Sequence, residues 1–337
     1  MLTAARILAK VAEPNPRAIL AAAGINDPGP LERAFSYSND VFVGREVVLR
    51  VARPTSWTSP AYERAVLAML PATVPHAEVL DAGVHDGREW MLLRRATGEV
   101  LGRRWPRMSR DERRRVVHQL GQALAALHAL PLPTGWQRPD LMPEALARRV
   151  TPPEIAAPFQ QPPARVHAIA DAARTLPGVD HELIDEAEAL VAARLPLFAA
   201  HRRALVHADL HSENVMVDGD RLTAVLDFEA ALPAAPDLEL DVPLRFCAWP
   251  HLPVAKEYEA QMRPEDFRDV PAWLAEAYPA LFAGPNLRER LEVYAVVYDL
   301  RLGVEYPGRP DPSAPPWQTW NRLRATVDGR GYLRAWF

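Results

Sequence analysis

The stretch from Leu205 to Leu232, LVHADLHSENVMVDGDRLTAVLDFEAAL, constrains this chain more than any other. It opens on the apolar pair Leu205-Val206 and then sets out His207, Asp209, His211 and Asn214. An apolar run from Val215 to Val217 leads to Asp218-Gly219, and a second, mostly apolar run from Leu222 to Leu226 ends on Asp227. Two short apolar runs joined by Asp-Gly predict a β-hairpin, because that dipeptide accepts the positive φ of a tight hairpin turn. The hairpin would bring Asn214 and Asp227 close in space although thirteen positions separate them.

Phosphoryl transfer asks little covalent help of a protein. It needs a carboxylate to orient the attacking hydroxyl and accept its proton, and hard oxygen ligands to hold Mg²⁺ on the nucleotide phosphates. Asp209 can be that base, with Asn214 and Asp227 supplying an amide oxygen and a carboxylate for metal. The Asp-to-Asn spacing is that of the protein-kinase catalytic loop, whose metal-binding Asp also lies on the following hairpin. The full pattern, H-x-D-x-x-x-x-N and then apolar–turn–apolar–Asp, resembles the aminoglycoside phosphotransferase and choline kinase family, which shares the protein-kinase-like fold. His207, Asp209, Asn214 and Asp227 each fall on it. Taken singly, each has a plainer reading: a packed histidine, turn caps, a strand end. The joint spacing favours the site. His207 reads as a hydrogen-bonded scaffold of the loop. His211 and Ser212 could touch phosphate or substrate, or be merely exposed.

Composition bounds the rest. The 337 residues, 49% apolar and 24% charged, suit a globular enzyme with a sizeable core in one large domain or two lobes. No run of eighteen apolar residues occurs, and the N-terminus is too broken by charge and proline for a secretory signal. A single cysteine, Cys247, excludes an internal disulfide and fits a reducing cytoplasm. The net charge of −4 argues against a nucleic-acid partner. Only Lys10 and Lys256 are lysines, so 37 of the 39 basic residues are arginine, which matters because a kinase ordinarily uses one particular lysine.

Before that stretch, residues 4–23 predict two short helices, and residues 31–51 predict three strands, from Leu31 to Phe35, Val41 to Val43 and Val47 to Val51. The resemblance places the connection from Ser36 to Asp40 over the nucleotide phosphates. It has no glycine, but Ser36, Ser38 and Asn39 offer hydroxyl, amide and backbone donors; a plain polar loop is the other reading. Arg50 in VVLRV stands where the family usually has lysine, and its guanidinium keeps the positive charge and can grip phosphate oxygens in pairs. Ser59 and Pro60 open a helix that carries Glu63, the match to the family's partner of that lysine; a first-turn Glu is also favoured by the helix dipole. Asp86-Gly87 joins two further strands, and Ala96-Thr97-Gly98 resembles the hinge where backbone reads the base.

Beyond the hinge, Ser109 and Glu112 form a capping box that opens a long helix to Leu130. Residues 131–165 read as a proline-rich loop or insertion, and Glu182 to Ala199 as a helix. After the hairpin, Glu239 falls on the second Asp position of the family's D-P-x-x-D-L and Ala235 on the first, a departure from the pattern. From Asp237 to Leu300, twelve acidic residues face six Lys/Arg. The resemblance implies that this region helps form an acceptor site where acidic groups attract cationic sugars; a solvated acidic surface is the alternative. Its aromatic residues, Trp249, Tyr258, Trp273, Tyr278, Tyr294 and Tyr298, could stack on a sugar or macrocycle or simply pack.

The expected fold is α/β, bilobal and protein-kinase-like. A small β-rich N-lobe spans 1–95, a hinge 96–98, and a larger, mostly helical C-lobe 99–337. The resemblance implies a Mg²⁺-dependent phosphotransferase with an alcohol acceptor, using ATP or GTP. Asp209 would be the base, Asn214 and Asp227 the metal ligands, and Arg50, Glu63, Ser36, Ser38 and Asn39 the nucleotide site. The expected acceptor is an aminoglycoside- or macrolide-like compound. The alternatives are a metabolic kinase of the choline, homoserine or sugar type, and a non-catalytic nucleotide-binding regulator. No nucleic acid or membrane partner is expected.

Overall fold

The computed structural model describes residues 13–34, 36, 39–53, 59–136, 163–198, 202–308 and 310–337. Contacts divide the chain into two units. One takes the described residues of Met1–Met69 together with Ala77–Ala96, and the other takes Leu70–His76 with those of Thr97–Phe337. The segment Leu70–His76 goes with the second unit because the Val225 N–H donates to the Pro75 carbonyl at 2.8 Å and His76 bridges to Val225.

The first unit is a sheet with two helices: α1 (Pro16–Ala22), β1 (Glu32–Ala34), β2 (Asn39–Val43), β3 (Val47–Ala52), α2 (Pro60–Leu67), β4 (Val79–His85) and β5 (Arg88–Arg94). Its five strands run antiparallel in the order β1-β2-β3-β5-β4. The β4–β5 turn places Asp86 and Gly87 at positive φ, as a tight hairpin requires. Asn15 caps α1, whose Ile19 and Leu20 pack on Val47, Leu49, Val51, Trp90 and Leu92. β2 starts two residues earlier than the sequence suggests. Asn39 and Asp40 pair with Ala52 and Val51, and buried Asp40 takes salt bridges from Arg33, Arg53 and Arg88.

The second unit is mostly helical. It contains β6 (Glu99–Val100), α3 (Leu101–Arg104), α4 (Arg110–His128), α5 (Pro163–Arg174), α6 (His181–Arg194), β7 (Ala204–Val206), β8 (Val215–Asp218), β9 (Arg221–Val225) and β10 (Leu232–Ala234). It ends with α7 (Asp241–Ala248), α8 (Val270–Ala277), α9 (Pro279–Phe282), α10 (Leu287–Glu305) and α11 (Thr319–Val327). The Ser109/Glu112 capping box is formed in full at the start of α4. Helix α10 is buried on most of its faces, through Leu291, Val293, Val296, Val297, Leu300 and Val304, and forms the centre on which α5, α6 and α11 pack. None of the described helices is long and apolar enough to cross a membrane.

The predicted hairpin is β8–β9, with Gly219 at φ +63° in the turn. The sequence reading missed two additions to it. β6 pairs with β8 to make a three-stranded sheet, and β7 pairs with β10 across the catalytic stretch. Gly98, just before β6, has φ +90°, and a Cβ there would lie 2.0 Å from the Val217 carbonyl oxygen. Both the backbone conformation and the contact exclude a side chain. We predict that Gly98→Ala lowers the free energy of unfolding by at least about 2 kcal/mol in urea denaturation; an unchanged midpoint would contradict the role assigned to β6.

Candidate active site

Within the second unit, β7 and β8 hold the ends of the loop His207–Asn214. His207 is fully buried and uses every polar atom it has. Its backbone N–H donates to Glu239 Oε2 at 2.8 Å. Nε2 lies 2.8 Å from the Leu226 carbonyl and Nδ1 accepts the Asp209 N–H at 3.2 Å, which sets the Nε2–H tautomer. Its ring packs edge-on against Phe228 at 4.7 Å. This is the geometry expected of a scaffold: one imidazole ties the loop to the far end of the hairpin.

Asp209 follows Ala208, which is left-handed at φ +65°. Such a conformation costs a non-glycine residue energy and persists only when neighbours impose it. The result is a carboxylate 45% exposed on a loop anchored through His207 and Asn214. Burial alone would raise its pKa. The His211 imidazole, its Nε2 3.7 Å away, and the positive charge of Arg301 outweigh that and hold it below the usual carboxylate range.

Asn214 is buried. Its Nδ2 donates to the Asp209 carbonyl at 2.9 Å, which leaves its side-chain oxygen as the outward ligand atom. Its own carbonyl accepts the Leu226 N–H at 2.8 Å. Together with the Val215↔Val225 register, that bond sets Asn214 beside the end of β9, next to Asp227. Asp227 is itself left-handed at φ +64°, which turns the chain sharply out of the strand. A carboxylate oxygen of buried Glu229 lies within 4.8 Å of one from Asp227. This donor set of one amide oxygen and two carboxylates fits a hard divalent cation. Glu229 carried no signal in the sequence beyond its place after Asp227.

His211 caps the turn Ser212–Asn214 by accepting the Glu213 N–H at Nδ1, and its Nε2 stands 3.7 Å from Asp209 Oδ2. Burial would lower its pKa, but Asp209, Asp227 and Glu213 together raise it. Its ring meets Phe246 of α7 edge-on at 5.5 Å. A Cβ on Gly102 of α3 would fall 3.0 Å from Ser212 Oγ, so that helix approaches the loop closely.

Beneath the loop, Glu239 turns a departure from the family pattern into a support. Its side chain has no exposure and reaches both the His207 N–H and His128 Nε2, at 2.8 and 3.3 Å. Neighbouring Asp237 instead forms a two-pronged pair with Arg290 at 2.5 and 2.7 Å.

In the first unit, Arg50 lies on β3 opposite Val41 and Met91. Its Nη1 donates to Glu63 Oε1 at 2.7 Å, with the two side chains 9% and 3% exposed. Ser59 caps α2 as expected and presents Glu63 in its first turn. Ser36 is half-buried and its Oγ accepts the Asn39 N–H at 3.3 Å. Asn39 itself belongs to β2 and is 1% exposed, so it is a strand residue and not a loop donor. Ser38 lies outside the described residues.

The acidic excess after the hairpin is largely neutralised by pairing. Asp237, Asp241, Glu292 and Asp299 pair with Arg290, Arg245, Arg194 and Arg322. Asp266, Asp269 and Glu276 pair with Arg113, Arg110 and Arg114 of α4. Of the aromatic residues, Trp273 and Tyr294 are core, Tyr298 meets the guanidinium groups of Arg245 and Arg301, and Trp249 lines a cavity.

A sequence model of the phosphotransferase enzyme family matches residues 33–277, well over half of the chain. The chain belongs to that family. Solved structures agree with this phosphotransferase in fold. Aminoglycoside phosphotransferase APH(4)-Ia, solved as a ternary complex with ADP and hygromycin B, is 19% identical with a TM-score of 0.62, over 95% of this chain and 98% of that one. ADP-bound APH(2'')-Ib is 14% identical with a TM-score of 0.62, over 94% and 100%. The GDP complex of aminoglycoside 2'-phosphotransferase-IIIa is 17% identical with a TM-score of 0.61, over 92% and 96%. No curated protein matches the phosphotransferase.

Proposed function

We propose that this phosphotransferase moves the γ-phosphoryl group of ATP or GTP to a hydroxyl of a small molecule, an aminoglycoside- or macrolide-like compound. The observation that carries the reading is Asp209: a half-exposed carboxylate, kept ionised, on a loop fixed by His207, Asn214 and Glu239. In that role it orients the acceptor hydroxyl and takes its proton. Asn214 and Asp227, with Glu229 beside them, would hold Mg²⁺. The ion, when bound, neutralises charge on the phosphates. Arg50, braced by Glu63, steadies the nucleotide phosphates in place of a lysine, and Ser36 adds a hydroxyl nearby in sequence. A non-catalytic regulator has no use for a carboxylate held this way. A metabolic acceptor stands as the second reading, because pairing removes most of the negative charge that would draw a polycationic sugar.

The test is nucleotide consumption by the purified protein with Mg²⁺, ATP or GTP, and a panel of aminoglycosides, macrolides, choline and sugars. Turnover that depends on both acceptor and Asp209 is expected, and turnover indifferent to Asp209 would overturn the assignment. Asn214→Ala and Asp227→Ala should each lower kcat by about 10²–10³ and raise the Mg²⁺ concentration needed for half-maximal rate. An unchanged Mg²⁺ dependence would remove them from the metal site.

A further inference from the structure

The second unit contains a cavity of about 480 Å³, a volume typical of small-molecule sites. Three aromatic rings wall it. Trp249 and Tyr332 stand 5.1 Å apart, and Tyr332 and Trp336 6.4 Å apart, all tilted or edge-on. At the back is Arg322, fixed by Asp299 at 2.5 Å and by the Trp317 carbonyl at 2.7 Å. Arg268 and Arg330 are exposed in the lining, and Glu265 is its one acidic residue. Buried Cys247 completes the wall; its thiol, pushed up to about 12 by burial, stays protonated and inert.

This cavity adjoins the catalytic loop through α7. Phe246 puts its ring on His211, and the next residues, Cys247, Ala248 and Trp249, line the cavity. Arg245 of the same helix lies with its guanidinium 3.4 Å from the Tyr298 ring centre, and Arg301, among the charges acting on Asp209, lies 5.3 Å from the same ring centre. The loop and the cavity therefore both touch one turn of α7. A polycation entering here would meet three arginines against one glutamate, Glu265, although Arg330 also pairs with Asp328 at 2.5 Å. A neutral or anionic molecule with a flat face would stack on the rings and be held by Arg268 and Arg330.

We propose that this cavity seats the acceptor, and that the acceptor is a neutral or anionic hydroxyl compound with a flat apolar face, not a polycationic sugar. The inference rests on the phosphotransferase reading above and narrows its acceptor.

Fluorescence titration of the full chain with the aromatic sulfonate 8-anilinonaphthalene-1-sulfonate tests it. Saturable one-site binding is expected, weakened about tenfold by Trp336→Ala and by Arg330→Glu. The latter changes an exposed residue, so loss of fold does not confound it. The probe should also inhibit acceptor-dependent turnover, and the polycation kanamycin should neither displace it nor be phosphorylated. Non-saturable binding, binding indifferent to both variants, or Asp209-dependent phosphorylation of kanamycin unaffected by Arg330→Glu would each overturn the proposal. If the probe binds as expected but no acceptor in the panel gives Asp209-dependent turnover, the kinase reading fails, and the acceptor role falls with it while the anion site stands.

Discussion

Asp209→Ala should lower kcat by about 10²–10⁴ while leaving nucleotide affinity and the urea midpoint near wild type. The side chain is half-exposed, and its one protein hydrogen-bond donor within reach is Asn214 Nδ2 at 3.4 Å. Little of the fold depends on it, so a loss of turnover would report chemistry. Equilibrium binding of a fluorescent nucleotide beside steady-state rates separates the two. Retained turnover with the acceptor present would end Asp209's candidacy as base. The same residue carries a pH prediction. Its pKa is depressed in the folded state, so the ionised form is present throughout the neutral range and is lost only as pH falls below the ordinary value of about 3.9. Carbon-detected NMR titration of the Asp209 carboxyl should give a midpoint below that value. A midpoint above it would mean that burial, not the neighbouring cations, governs the site.

The second large effect belongs to Glu239, which touches neither substrate nor metal. Glu239→Ala would leave the buried His207 N–H and His128 Nε2 without their acceptor. Each stranded group costs about 1–3 kcal/mol, so a loss of roughly 2–4 kcal/mol in stability is expected. Because His207 positions both Asp209 and Leu226, a shift of the loop should also lower kcat by about 10², with little change in nucleotide KM. Glu239→Gln keeps an oxygen for the His207 N–H and should restore most of the rate. Glu239→Asp is one methylene shorter and should restore less. Equal activity in all three variants would show that the loop is held elsewhere.

Why the sequence showed some of this and not the rest follows from the range of the interactions. The β8–β9 hairpin was legible because its determinants are local: two apolar runs and Asp218-Gly219. The Ser59 cap of α2 and the capping box of α4 are legible for the same reason. β6 was not, since two residues carry no period, and neither was the β7–β10 pair, whose strands are separated by the whole catalytic stretch. Asn39 reads as a loop residue in the sequence because the start of β2 is set by pairing with Ala52 and Val51 of β3, more than ten positions away. Counting charges from Asp237 to Leu300 suggested an acidic acceptor surface. The arginines that neutralise it include Arg110, Arg113 and Arg114, more than 150 positions away in the chain. Glu239 looked like a defect because a motif records residue identity. What the loop requires is an oxygen at the right distance, and a longer side chain supplies it here.

The left-handed backbones of Ala208 and Asp227 carry a further consequence. Neither residue favours that conformation, so the curvature of the segment is imposed by its surroundings: the buried histidine, the glutamate beneath it and the hairpin register. Grafted onto another scaffold as a peptide, the same twenty-odd residues would relax and their carboxylates would drift apart. The exposed side chains of the cavity, Arg268 and Arg330, are under no such constraint, because neither touches the loop. A lineage built this way can change what it recognises by small steps while inheriting its reaction as one indivisible block.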